Sequence, residues 1–153
     1  MSPEAKLKEL GIELPPAPKP VGAYVTWVRT GNLVTTSGQL PWEGGVMRYP
    51  GRLGAEVDTE AGYRAARIAG LNALAQLKAA VGSLDRVKRI VRLEGYVHCT
   101  QEFRGHPRVL DGCSDLLVSA FGDRGLHTRI ALGIYAMPLE ACVQLVVWAE
   151  VED

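Results

Sequence analysis

The sequence predicts an α+β fold: a mixed sheet with two helices packed on one face, in the order β-β-α-β-α-β-β. Three observations carry this. Runs of β-branched and aromatic residues flank turn signals at both ends of the chain. Two long segments of helical apolar spacing lie between them, and a single strand-like segment separates the two. At 153 residues the chain has the length of one domain with a sizeable core.

In chain order, Ser2-Pro3-Glu4 opens a short helix, with serine as cap and proline at the first helical position; Gly11 stops it. Leu14-Pro15-Pro16-Ala17-Pro18-Lys19-Pro20 cannot continue a helix and reads as extended. The chain thus divides into a short helix with a Pro-rich arm, residues 1–20, and a single domain, 21–153. Tyr24–Arg29 and Leu33–Ser37 form a first hairpin around Thr30-Gly31-Asn32. A long loop follows, punctuated by Gly44-Gly45 and Pro50-Gly51, and a loop of this length points to function. Asp58-Thr59 starts the longest helix, which runs to about Val81 and stops at Gly82. Ile68, Leu71, Leu74, Ala75 and Leu77 give it an apolar stripe, and Ala61, Ala65, Ala69 and Ala73 allow close packing.

A strand is expected around Arg89–His98 and a second helix over about Val109–Phe121, ended by Gly122. Two further apolar runs, Arg129–Tyr135 and Val143–Val151, flank Met137-Pro138 and read as a closing hairpin. Trp27, Val34 and Trp148 are assigned to the sheet face away from the helices. Apolar strand residues exceed what two helices can cover, and the excess predicts a subunit interface.

Lysine plus arginine, 17, balances aspartate plus glutamate, 17, which argues against a polyanion as the main partner. The cluster Arg86, Lys88, Arg89 and Arg92 has no interleaved aromatic set and reads as a solvated strand edge. No apolar stretch is long enough to span a bilayer, and the first residues lack a signal-peptide layout, so a cytoplasmic address is expected. Cys99, Cys113 and Cys142 are odd in number and widely spaced, which predicts inert thiols rather than disulfides or zinc. His98 and His106 flank Cys99 at a spacing that matches no common zinc pattern, so no metal and no cofactor are expected.

Arg129 stands out because a guanidinium at the mouth of an apolar run is costly to desolvate unless an acceptor meets it. Nothing within the run supplies a carboxylate, and Gln144 is the nearest polar candidate on the following run. Two readings stand: a structural ion pair, or a cation awaiting an anionic ligand. His127, two residues earlier, shares that strand face and serves either as a ligand contact or as a rim residue. Asp111 and Asp115 lie four apart on the second helix, as paired acid–base carboxylates or as exposed helix charges.

Several segments together resemble the YjgF family, also called the Rid or reactive-intermediate deaminase family. They are Pro20-Val21-Gly22-Ala23-Tyr24, Gly31-Asn32-Leu33-Val34-Thr35-Thr36-Ser37-Gly38-Gln39-Leu40-Pro41, and Arg129 with Pro138 nine residues later. The chain is particularly similar to a branch marked by Asp111-Gly112-Cys113-Ser114-Asp115-Leu116-Leu117 and Gly125-Leu126-His127-Thr128-Arg129. The resemblance, which covers nearly the whole chain from about Pro20, implies a chorismate-mutase-like fold. It also implies a homotrimer with clefts between subunits that take a small carboxylate-bearing metabolite, of enamine, imine or 2-oxo acid type. In active relatives an arginine grips the carboxylate, and water releases ammonia from the imine.

Carried over by motif, Arg129 is the carboxylate clamp, Tyr24 an aromatic wall, and Ser37 with Gly38 a close backbone approach. Ala131 contributes backbone contacts, and Asp111 falls where deaminating members tend to have asparagine. At one place the chain departs from the pattern: Gln144 occupies the position of the glutamate that positions or activates water. An amide holds water but cannot accept its proton at neutral pH. Neither Glu140 nor Glu150 sits at the matching position. The expectation is carboxylate binding with weak or altered imine deamination. A non-catalytic binding or regulatory protein is the alternative, and an endoribonuclease acting through the basic cluster the weaker one.

Overall fold

The structure, a computed structural model, describes residues 1–153. Its first helix, α1 (Pro3–Glu9), is capped by Ser2, whose Oγ accepts from the Ala5 N–H at 3.3 Å. β1 (Trp27–Thr30) and β2 (Leu33–Thr36) form the expected hairpin, with Gly31 at φ +58° in the turn. The long loop contains a second, small hairpin, β3 (Trp42–Glu43) and β4 (Val46–Met47), joined by Gly44-Gly45. α2 (Thr59–Val81) starts where Asp58 accepts from the Ala61 N–H at 2.8 Å and ends at Gly82 with φ +85°. β5 (Val87–His98), α3 (His106–Phe121), β6 (Thr128–Ile134) and β7 (Val143–Val151) complete the chain.

The closing hairpin expected from the sequence does not form. The five-stranded sheet has the order β1-β2-β7-β5-β6, so β5 lies between β6 and β7. β5 runs antiparallel to β7 and parallel to β6. The connection from β5 to β6 passes through α3, the crossover that a parallel pair needs. Segment proximity in sequence therefore misled: β6 has a better neighbour in the strand that precedes the helix.

α2 and α3 cover one face of the five-stranded sheet, and the core lies between, around Leu74, Leu77, Ile90, Leu93, Leu116 and Val147. Strand alternation fixes what each face carries. In β7, Val143, Leu145, Val147, Ala149 and Val151 are buried under the helices, so Gln144, Val146, Trp148 and Glu150 point to the other face. Val34 is fully buried and Trp27 packs against the core, so both belong to the helix-covered face rather than the outer one; Trp148 is outside as expected. The outer face also carries Val28, Ile130 and Leu132, with Val28 49% and Leu132 51% exposed.

Residues 1–20 are seated on the domain. Leu7 is buried in the common core, Glu4 Oε1 accepts from the Leu84 N–H at 3.1 Å, and Pro18 O accepts from Gln76 Nε2 at 2.7 Å. No helix is long and apolar enough to cross a membrane.

Candidate functional site

Arg129 leaves β6 on the helix-covered face, because it pairs in register with buried Leu93 of β5; Ala131, opposite Gly95, shares that face. α3 lies there, and it supplies the carboxylate that the strand lacks. Arg129 Nη1 donates to Asp111 Oδ1 at 2.9 Å and to Ser114 Oγ at 3.1 Å. The expectation of an unmatched guanidinium is thereby corrected. Asp111 and Ser114 are three residues apart, hence on one helix face, and their meeting with Arg129 depends on how α3 packs on β6. The cation is compensated but not enclosed: its side chain is 24% exposed, and Nε and Nη2 make no hydrogen bond to protein.

His127 completes this network. Its Nδ1 lies 2.6 Å from the Gly125 carbonyl, which can only accept, so the ring proton sits on Nδ1. Nε2, 2.9 Å from Ser114 Oγ, then accepts the serine proton, while the same oxygen accepts from Arg129. Burial holds the His127 pKa below its ordinary value, and the Arg129 charge acts in the same direction against the Gly125 hydrogen bond. The lowered pKa favours a neutral ring, and this network accommodates one.

Gln144, Gly38, Ser37 and Tyr24 form a second group. Gln144 points from the outer sheet face, and its Oε1 fills the space that a side chain at residue 38 would occupy. Gly38 is what permits that approach. Gln144 Nε2 is 3.3 Å from Met137 Sδ, and Ser37 Oγ donates to Thr26 O at 3.3 Å. Tyr24 Oη accepts from the Val21 N–H at 3.5 Å. Tyr24, Ser37 and Gly38 line a small crevice of about 60 Å³. Arg129 and Gln144 thus project from opposite faces of the sheet, on strands separated by β5, and do not meet within one protomer.

A family model described as "YjgF/chorismate mutase-like, putative endoribonuclease" matches residues 4–151. The chain belongs to the YjgF family. Protein TCP17 of Trypanosoma cruzi is 42% identical over 144 residues, covering 92% of this chain and 89% of TCP17. The crystal structure of a putative endoribonuclease from Shewanella oneidensis superposes with a TM-score of 0.96 at 42% identity, over 99% of this chain and 100% of that one. That of a protein of unknown function from Agrobacterium tumefaciens gives 0.91 at 38% identity, over 98% and 92%. The chorismate-mutase-like α+β fold is established by these matches.

Elsewhere in this YjgF protein, the remaining predicted features disperse. Asp115 accepts from the Tyr63 hydroxyl at 2.6 Å, which raises the phenol pKa, so Asp111 and Asp115 serve different partners. In the basic cluster, Arg86 donates to Val81 O and Asp153 O, Lys88 pairs with Glu150, Arg89 reaches Leu126 O, and Arg92 pairs with Glu94. Cys113 and Cys142 are buried, and burial pushes both thiols up to about 12. Cys99 is different: its Sγ stands 3.3 Å from His106 Nε2 in the wall of a cavity. No group of three or more His, Cys, Asp and Glu side chains is placed to hold a metal ion. Ser114 escaped the sequence reading; its place one turn after Asp111 was the available signal.

Proposed function

We propose that this YjgF protein binds small carboxylate-bearing metabolites between protomers of a homotrimer, with Arg129 as the clamp and with weak imine hydrolysis. The carrying observation is the Arg129 geometry. Asp111 and Ser114 hold Nη1, while the Nε–Nη2 edge, the fork that suits a carboxylate bidentately, has no protein acceptor. The separation of Arg129 from Gln144 on opposite faces supports the oligomeric reading, since a site using both needs two copies of the chain. Apolar side chains on the outer face supply surface for such an assembly.

Gln144 limits the chemistry. Its amide can orient water but cannot take the proton. Asp111 sits closer to the clamp, yet its Oδ1 is committed to Arg129. The weak-turnover reading follows from that inventory. An RNA-cleaving role, suggested by the naming of relatives, finds little support because the basic cluster is tied to protein partners.

Calorimetry with pyruvate and 2-oxobutyrate tests the binding. Arg129→Ala is expected to weaken it by roughly 10- to 100-fold, the loss of charged hydrogen bonds. Equal binding by wild type and variant, or none by wild type, overturns the proposal. Release of ammonia from a freshly generated amino-acid imine tests the chemistry. Gln144→Glu is expected to raise turnover on the order of 100-fold, the scale of a restored general base. Robust wild-type turnover that survives Gln144→Ala would show another base at work.

A further inference from the structure

We infer that Cys99 and His106 form a second, thiol-bearing site for a small anionic carbon electrophile, separate from the Arg129 clamp. The pair lies in a cavity of about 780 Å³ where the chain leaves β5 and enters α3. Cys99 Sγ and His106 Nε2 are 3.3 Å apart, within hydrogen-bonding range for sulfur. The ring is steadied by Phe103, whose centroid is 5.3 Å away at an interplanar angle of 65°. Gly133 of β6 lies directly beneath the pair. A methyl group there would come within 2.6 Å of His106 Nε2 and 2.9 Å of Cys99 Sγ, so the glycine leaves the space that the pair occupies. Gly133 stands four residues beyond Arg129, roughly 13 Å along the strand.

The charge around the pair selects the ligand. Arg52 and Arg104 are in the wall with Glu102. Arg52 is paired with Glu56 at 3.6 Å, whereas Arg104 forms no ion pair with a carboxylate. Arg104 lies near enough for its charge to lower the Cys99 pKa, against a larger upward push from burial. Its Nη1 donates to Gln101 O and Phe103 O, and Nε and Nη2 are not engaged. Gly105 brings no side-chain cap to the start of α3, so the positive end of that helix faces the same region without a built-in anion. A carboxylate on the ligand meets both Arg104 and this helix end.

Burial keeps the resting thiol protonated, so the reaction needs a base, and His106 is placed to act as one. The Cys99 S–H proton passes to His106 Nε2 as the sulfur electron pair forms an S–C bond. With an α,β-unsaturated carboxylate the C=C π pair moves to the α-carbon, which takes the proton back from His106, and the product is a thioether. With a haloacetate the C–halogen pair leaves as halide and His106 retains the proton until solvent removes it. Neither case needs an oxidant or a second thiol.

Iodoacetate and iodoacetamide, with peptide mass mapping, test this on the full chain. The folded protein should take one adduct, on Cys99, while buried Cys113 and Cys142 stay unlabelled as internal controls. His106→Gln should slow labelling at least about 10-fold. Arg104→Ala should slow iodoacetate several-fold more than iodoacetamide, because only the former is charged. Circular dichroism and retained pyruvate binding show that the variants keep their fold and leave the clamp intact. An unreactive Cys99 in the folded protein, a rate unchanged by His106→Gln, or equal effects of Arg104→Ala on both reagents overturns the inference.

Discussion

Asp111 is the residue whose placement most changes what Arg129 can do. Its carboxylate partly neutralises the guanidinium, and an incoming carboxylate must share that cation with it. Asp111→Asn keeps an acceptor for Nη1 and removes the competing charge. Binding of pyruvate should tighten several-fold, on the order of 1 kcal/mol, and the gain should shrink in high salt. Calorimetry at two ionic strengths checks this; weaker binding would mean that Asp111 itself holds the ligand. The effect on stability should be small, because the pair is partly exposed, Asp111 by 39%. His127 gives a second residue-scale expectation. Its pKa is lower in the folded chain than its ordinary 6.5, so below that value the unfolded chain binds more protons than the folded one. Stability should therefore fall as the pH drops through and below about 6.5, and His127→Gln should flatten that limb. Urea midpoints between pH 8 and 5 measure it.

At the scale of elements, the crossing of α2 and α3 depends on small residues. A side chain at residue 112 would run into the Tyr63 carbonyl, and a methyl group at Gly62 or Gly70 of α2 would come within 2.9–3.2 Å of Val109, Cys113 and Leu116 of α3. Gly112→Ala gains helix propensity but must push two backbones apart. A net loss of about 2–3 kcal/mol is expected, lowering the thermal midpoint by roughly 5–10 °C. Scanning calorimetry would show it.

These elements also show what a single sequence reveals. Helix ends were readable because Asp58, Gly82 and Gly122 act locally, through caps and positive φ. α3 begins three residues before the expected Val109, at His106 with Pro107 following, a signal overlooked because the apolar pattern starts later. Gly44-Gly45 looks like loop punctuation in the sequence, yet it joins two short strands. The partner of β6 was unreadable for another reason. Turn chemistry pointed to β7, whereas the pairing follows from how α3 lies across the sheet. The Arg129–Asp111 contact spans 18 residues and depends on that same crossover, so it could not be derived without the fold.

For the whole molecule, the outer sheet face is the surface on which the proposed trimer can be tested. Val28, Leu132, Val146 and Trp148 line a surface that no helix covers. Leu132→Glu would place a charge in the middle of an assembly built on that face. Light scattering after size exclusion should find a trimer for the wild type and a smaller species for the variant. An unchanged mass would direct attention to another surface.

β7 joins the two parts of the main sheet, touching β2 on one side and β5 on the other. β7 is the last element in the chain, so the amino-terminal hairpin, both long helices, β5 and β6 all leave the ribosome before it. Until then, two rows of backbone donors and acceptors face water with no mate. Such a nascent chain is exposed to intermolecular strand pairing, and chaperone dependence should end only once residues 143–151 clear the exit tunnel.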